Sequence, residues 1–274
     1  SYQGRRSYDW IEKSEPFRTD DKLVAEVTQE QFEYCLPGLP IHAKKYIRID
    51  HHYAHHLSAR SLYGDDYTSG VVIDGAGDYW NHLSVFKDDK KIINYNYEDM
   101  FSIGEFYTMI GRKALDVEYE DLDAIAQKAQ DAAGTAMGLM SYGKFNVPFA
   151  RTVAELPLEK VVDALLNDVA FARPYMNSYH HYEQNSWKQV PEATCNYWYV
   201  DYMHTCQEIL REKIKDFFAR HFTASDKITY SGGVAHNVLI NETLANHFNN
   251  LAIPPCVGDE GLSIGAMKYL STLY

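Results

Sequence analysis

Short runs of β-branched residues alternate with longer helical patterns along this chain, and this alternation most limits the folds that it can adopt. Strand patterns occur at 44–50, 69–78, 226–233 and 251–253, with a hairpin pattern at 82–97. Helical patterns occur at 51–63, 103–114, 121–141, 161–171, 198–222, 234–248 and 260–272. Strands that alternate with helices predict an α/β fold with a mixed or parallel sheet.

Two stretches lie outside this pattern. Residues 1–40 are polar and charged, so we expect a surface connection or a truncated N-terminal segment, followed by one domain over 41–274. Residues 173–197 are aromatic, polar and non-periodic, which predicts an irregular insertion. That insertion fits two roles equally well: a pocket whose aromatic faces bind a sugar or a base, or a subunit interface of a homo-oligomer.

The composition narrows the classes of function. The chain has 274 residues, 46% of them hydrophobic, and a formal net charge of −12. The apolar content predicts a folded globular protein, whereas the negative charge argues against a surface that binds nucleic acid. Apolar stretches stay well short of the roughly 20 residues of a membrane span. Four well-separated cysteines fit reduced thiols, so we expect a cytoplasmic protein.

Four of the twelve histidines, His51, His52, His55 and His56, lie within six consecutive positions at the start of a predicted helix. Residues four apart share a helix face, so His51 pairs with His55, and His52 with His56. Two imidazole nitrogens on one face are able to bind one cation. The residues alone leave a metal site and a solvated or packed histidine cluster equally open. A metal site needs a further carboxylate, and Asp259, in the turn that opens the last helix, offers either that ligand or a helix cap.

Glycine-rich turns follow two of the predicted strands. The segment "DGAGD" (74–78) has two glycines behind Asp74, whose carboxylate is able to hold a metal or its waters. The segment "SGG" (231–233) leads into a helix that carries Asn237 and Asn241 one turn apart. Glycines let the backbone approach a phosphate, and a helix N-terminus attracts an anion. The second turn favours a nucleotide cradle, although each turn also fits a close-packed connection.

Six segments in order resemble the O-carbamoyltransferases of antibiotic and nodulation-factor biosynthesis: "DHHYAHHLSA", "VVIDGAGD", "FSIGEFYTMIG", "AMGLMSYG", "SGGVAHNVLIN" and "PPCVGDEGLSIGAM". They fall within 50–143 and 229–267 and resemble the N-terminal domain of those enzymes, which is related to the tRNA threonylcarbamoyl transferases. The resemblance implies a carbamoyltransferase with an actin-like ATPase (ribonuclease H-like) fold. Its lobes would have mixed sheets flanked by helices, and the fold would be incomplete at the N-terminus.

The resemblance also implies a set of ligands and the residues that bind them. A divalent metal, Fe²⁺ or a substitute such as Mn²⁺ or Mg²⁺, would be bound by His51, His55 and Asp259, with His52 and His56 as neighbours. ATP or carbamoyl-adenylate would lie against residues of the glycine turns and the helices that follow them: Gly75, Gly77, Gly138, Gly232, Gly233, Val234, Asn237 and Asn241.

The implied reaction moves a carbamoyl group from carbamoyl-adenylate, made from carbamoyl phosphate and ATP, to a hydroxyl of a small molecule, sugar or modified nucleoside. A base should deprotonate that hydroxyl, and Asp74 and Asp78 are the candidates by position. The YrdC-like domain that makes carbamoyl-adenylate is absent from this sequence. We therefore expect it on a separate chain or segment.

Two departures from the family pattern keep other functions open. Thr135 stands where the family usually has a lysine, which removes an anion contact, and His236 stands where a small or aliphatic residue is more usual. One alternative is a non-catalytic, carbamoyltransferase-like binding or structural subunit. Another is a relative of the tRNA threonylcarbamoyl transferases.

Overall fold

The computed structural model describes residues 22–35, 38, 41–115, 133–167 and 197–273. The insertion predicted at 173–197 lies outside these residues, apart from Tyr197. So does most of the helix predicted at 121–141, of which a helical segment at 133–140 is described.

The described strands and helices follow the predicted alternation. The strands are β1 (Val24–Val27), β2 (Tyr46–Ile49), β3 (Ser69–Ile73), β4 (Leu83–Lys87), β5 (Lys90–Tyr95), β6 (Lys227–Ser231) and β7 (Asn250–Ala252). The helices are α1 (Gln29–Cys35), α2 (His51–Tyr63), α3 (Ile103–Leu115), α4 (Val147–Val153), α5 (Leu158–Asn167), α6 (Tyr197–His221), α7 (Val238–Ala245) and α8 (Leu262–Leu270).

A five-stranded sheet with the order β5-β4-β3-β6-β7 organises the described fold, and β1 and β2 form a separate antiparallel pair. Strands β3, β6 and β7 are parallel, whereas β4 is antiparallel to both β3 and β5. Numbered along the chain within this sheet, the order is 3-2-1-4-5 with the second strand reversed, as in a ribonuclease H-like lobe. The predicted α/β class with a mixed sheet is confirmed.

Helix α2 is held between the sheet and the last helix. It packs against β3 and β6 on one side and against α8 on the other. The two helices approach closely at Gly265, where a Cβ atom would lie 1.9 Å from the carbonyl oxygen of Ala54. Only a residue without a side chain fits this crossing. The contact fixes the position of α2 relative to the turn that precedes α8.

The local structure differs from the sequence patterns in three places. Residues 1–40 were expected to be a surface connection or a truncated N-terminal segment; β1 and α1 lie there, and β1 pairs with β2. A four-residue strand gives too short a periodic pattern, and its partner lies some twenty residues further along the chain. The helix predicted at 234–248 is interrupted: a 3₁₀ turn, Gly233–His236, precedes α7. Helix α4, at Val147–Val153, was not predicted.

No helix within the described ranges is both long and apolar enough to cross a lipid bilayer.

Candidate metal centre

The start of α2 is anchored at both its backbone and its side chains. Asp50 caps the helix: its carboxylate accepts a hydrogen bond from the backbone N–H of Tyr53 at 2.9 Å and one from Lys91 Nζ at 2.7 Å. The backbone N–H of His51 donates to Asp78 Oδ2 at 3.0 Å. Because these bonds tie the first turn to β5 and to the turn after β3, the histidines of α2 are held against the carboxyl end of β3.

Four side chains converge at this point: His51, His55, Asp74 and Asp259. Both histidines direct Nε2 at Asp74 Oδ2, at 3.0 Å from His51 and 3.1 Å from His55. Asp259 Oδ1 lies 3.4 Å and 3.5 Å from the same two nitrogens. One ligand atom from each of the four residues lies within 4.8 Å of every other.

This donor set fits a single divalent cation. Two ligands about 2.1 Å from a metal and at right angles to each other lie about 3 Å apart, close to the separations in the cluster. Two imidazole nitrogens with two carboxylate oxygens suit first-row cations such as iron and manganese. The structure therefore brings together the three ligands that the resemblance implied, His51, His55 and Asp259, and adds Asp74.

The charges of the cluster depend on one another. Burial disfavours protonated His51, but the carboxylates of Asp259 and Asp74 outweigh burial and raise the pKa of His51 to about 10. The same balance raises the pKa of His55. Burial would raise the pKa of Asp74, yet hydrogen bonds from the histidines hold it well below its usual range, and they also lower the pKa of Asp259. A cation bound here would replace the imidazole protons.

His52 and His56, the other two histidines at the start of α2, are packing residues. Burial lowers the pKa of His52, and its Nδ1 lies 2.6 Å from the hydroxyl of Ser84 on β4. His56 stacks on Phe86 with ring centroids 4.8 Å apart, and its Nδ1 lies 2.7 Å from the hydroxyl of Thr229 on β6. Their face of α2 therefore contacts the sheet, and the face of His51 and His55 points at the cluster.

The two predicted bases have other contacts. Asp74 is buried, with its Oδ1 accepting from the backbone N–H of Gly233 at 3.0 Å and its Oδ2 facing the histidines. Asp78 Oδ2 accepts from the N–H of His51 and pairs with Arg48 at 3.1 Å. This placement argues against a base role for either residue, because both carboxylates are already engaged by protein groups.

The predicted nucleotide cradle is a packed junction in this structure. The N–H groups of all four glycines in the two turns donate within the protein. The donors and acceptors are Gly75 to Asp74 Oδ1, Gly77 to Asn81 O, Gly232 to Val257 O, and Gly233 to Asp74 Oδ1. Gly232 has φ +93°, and a Cβ there would lie 2.4 Å from the carbonyl oxygen of Ile73. Gly232 thus allows the end of β6 to lie against the end of β3. Contact of the four glycines with a nucleotide stays a prediction.

Asn237 and Asn241 are one turn apart, as predicted, but both amides have partners within the protein. Asn237 caps α7, accepting from the N–H groups of Leu239 and Ile240. Its amide also exchanges two hydrogen bonds with Gln207 of α6, at 2.8 and 3.2 Å. Asn241 donates to the carbonyl of Ala235 at 2.8 Å. The break in the predicted helix places Asn237 at the N-cap of α7.

Replacing Asn237 with alanine is expected to destabilise the protein even without a ligand. The lost cap and the buried Gln207 Nε2, which would have no acceptor, together amount to about 2–4 kcal/mol, whereas Gln207 Oε1 keeps its bond from Tyr107. Thermal unfolding of the ligand-free variant measures this loss, with the same substitution at the exposed Asn249 as the control. An unchanged melting temperature would contradict the structural role of Asn237.

Two further predicted nucleotide contacts lie away from the cluster. The Val234 side chain is buried in the hydrophobic core, so that only its backbone is able to face a ligand. Gly138 is exposed near the end of the helical segment at 133–140. Within the described part of the chain, no hydrogen bond or ion pair joins Gly138 to the four-residue cluster. Both roles stay predictions.

Several residues that shape the site were not predicted from the sequence. Gly104 at the start of α3 packs on Gly75, where an added Cβ would lie 2.7 Å from the Gly75 Cα. Tyr79 and Trp80 follow Asp78 with positive φ values of 56° and 62°, a conformation that is costly for large residues. Gly104 lies within one of the quoted motifs, but the partner of such a glycine is visible only in three dimensions.

The family of the chain follows from comparison with known proteins. Residues 21–267 match the family described as "Carbamoyltransferase N-terminus". The chain belongs to this family. The family predicted from the six segments is confirmed.

Two individual proteins are similar to this carbamoyltransferase N-terminal domain. The "Uncharacterized protein MJ1051" of Methanocaldococcus jannaschii is 25% identical over 229 residues, which are 81% of this chain and 40% of that protein. The chain thus spans less than half of that relative's length. A solved structure, the activator of the 2-hydroxyisocaproyl-CoA dehydratase from Clostridium difficile with bound ADPNP, covers 80% of this chain and 68% of that one. Its sequence identity is 10% and its TM-score 0.41.

Proposed function

We propose that this domain transfers a carbamoyl group from carbamoyl-adenylate to a hydroxyl, with a divalent cation held by His51, His55, Asp74 and Asp259. The observation that carries the proposal is the convergence of these four donors at the end of β3. Family membership supports the type of transfer. The adenylate, and its origin from carbamoyl phosphate and ATP, rest on the resemblance to the O-carbamoyltransferases.

The chain's own residues prepare the site in three ways. The Gly233 N–H fixes one oxygen of Asp74, so the other faces the histidines. The Asp50 cap and the Asp78 contact hold α2 in register with that carboxylate. Asp259 is largely exposed, which leaves the cluster open on one side for a substrate. A cation bound there supplies Lewis-acid stabilisation of charge on the carbonyl and the departing phosphate.

The partners are proposed on the same basis. The acceptor is a hydroxyl-bearing small molecule, sugar or modified nucleoside. A YrdC-like domain on a separate chain or segment supplies carbamoyl-adenylate. The net charge of −12 disfavours a tRNA acceptor.

Release of AMP from synthetic carbamoyl-adenylate tests the proposal. In the presence of Mn²⁺ and ethylene glycol as the hydroxyl donor, we expect carbamoylated glycol and AMP in equal amounts. Because Asp259→Asn weakens the cation site, we expect at least about 100-fold slower release, whereas Asp216→Asn on the exposed face of α6 serves as the matched control. Mn²⁺ binding without metal-dependent release of AMP would instead support the non-catalytic alternative.

A further inference from the structure

His236 and Glu260 lie beside the open side of the metal cluster. His236 ends the 3₁₀ turn that follows β6, and Glu260 directly follows the cluster residue Asp259. Both side chains are more than half exposed, at 56% and 53%, and His236 Nε2 lies 3.9 Å from Glu260 Oε1. The imidazole and the carboxylate therefore face the same solvent-accessible region, next to a candidate ligand.

The backbone of Gly258 lies against both side chains. Its N–H donates to Glu260 Oε1 at 3.1 Å, which fixes the carboxylate. A Cβ on Gly258 would lie 3.1 Å from His236 Nε2 and 2.7 Å from Glu260 Oε2. The imidazole thus lies over the residue that precedes Asp259. Since the Asp259 side chain is 72% exposed, this is also the side on which the cluster opens.

Carbamoyl transfer to a hydroxyl needs a group that accepts the hydroxyl proton. Asp74 and Asp78 were the candidates by position. However, Asp74 faces the histidines of α2, and Asp78 pairs with Arg48. His52 is buried beneath the turn after β3 and contacts Ser84. His236 differs from all three, because its imidazole is open to an incoming acceptor.

We propose that His236 is the general base of the transfer, with the Glu260 carboxylate beside its imidazole. The inference rests on the proposed function. The acceptor oxygen forms a bond to the carbonyl carbon of carbamoyl-adenylate, and its proton passes to the imidazole nitrogen of His236 that does not face Glu260. The bond between that carbon and the phosphate oxygen breaks, and AMP leaves with the electron pair. The products are the carbamate ester, AMP and one proton on the imidazole.

The test uses His236→Gln with synthetic carbamoyl-adenylate, Mn²⁺ and ethylene glycol. We expect formation of the carbamoylated glycol to slow by about 100-fold, and added imidazole to restore part of the rate, because the site is exposed. Mn²⁺ affinity should stay unchanged, since His236 is not among the four donors. His247→Gln, at an exposed position after α7, is the matched control and should behave like the wild type.

The outcomes separate this inference from the proposed function. A wild-type rate in His236→Gln would overturn the base role while leaving the transfer reaction intact. If the variant is slow, added imidazole does not restore its rate and its Mn²⁺ affinity is unchanged, His236 has a packing role. That outcome would also overturn the base role. If the wild-type protein shows no metal-dependent release of AMP, the proposed function itself is contradicted.

Discussion

Mn²⁺ at about 100 times its dissociation constant is expected to stabilise the wild-type protein by about 2.7 kcal/mol, and His51→Ala is expected to abolish this effect. The stabilisation corresponds to a rise in melting temperature of about 5–11 °C for a domain of this size. His51 contributes one of the four converging donors, and without it the remaining three lose the paired imidazoles of α2. Thermal unfolding with and without Mn²⁺ measures the difference.

Asp74→Asn separates the two roles considered for that residue. As a ligand, Asp74 is needed for Mn²⁺ binding, so the variant should also lose the melting shift. As a base alone, it would leave the shift intact. His247→Ala is the control for the loss of an exposed histidine. A melting shift that persists in both His51→Ala and Asp74→Asn would contradict the metal centre.

Gly265→Ala is expected to destabilise the protein and to weaken the metal centre together. The added Cβ would lie 1.9 Å from the Ala54 carbonyl oxygen, so α8 must move away from α2. Overpacking of this kind costs about 1–3 kcal/mol, and the melting temperature should fall by about 2–12 °C. Because Asp259 lies just before α8, the movement also separates it from the histidines.

The matched control is Gly138→Ala, since nothing lies within 4 Å of a Cβ at that position. That variant should be unchanged or slightly more stable, because alanine is a better helix former than glycine. Mn²⁺ titrations of both variants complete the experiment. A destabilised Gly265→Ala protein with wild-type Mn²⁺ affinity would show that the helix crossing and the site are independent.

The sequence predicted the parts of the site that depend on local periodicity. Helix α2 runs over His51–Tyr63, as predicted, so the pairing of His51 with His55 follows directly from 3.6 residues per turn. The order of strands and helices also follows from short periodic runs, and it led to the α/β class. Six motifs in one order were sufficient to identify the family.

The sequence did not distinguish the roles of the acidic and amide side chains. Asp74 and Asp78 lie four residues apart in one turn, yet one joins the histidines and the other binds Arg48 and the first N–H of α2. An asparagine such as Asn237 often contacts a nucleotide, but the amide of Asn237 is hydrogen-bonded to Gln207, thirty positions away. Such choices depend on partners distant in the chain.

What the sequence by itself determined is therefore the α/β class with most of its elements, the histidine face of α2 and the family. The resemblance had already grouped Asp259 with His51 and His55, and the tertiary structure alone decided that Asp74, nearly two hundred residues from Asp259, meets the same two imidazole nitrogens. Helical periodicity extends over a few residues, so the local sequence pattern shows it. The meeting of the carboxylates depends instead on the parallel pairing of β3 with β6 and on the close crossing of α2 and α8 at Gly265. Both contacts form between segments that are far apart in the chain, so no local pattern records them.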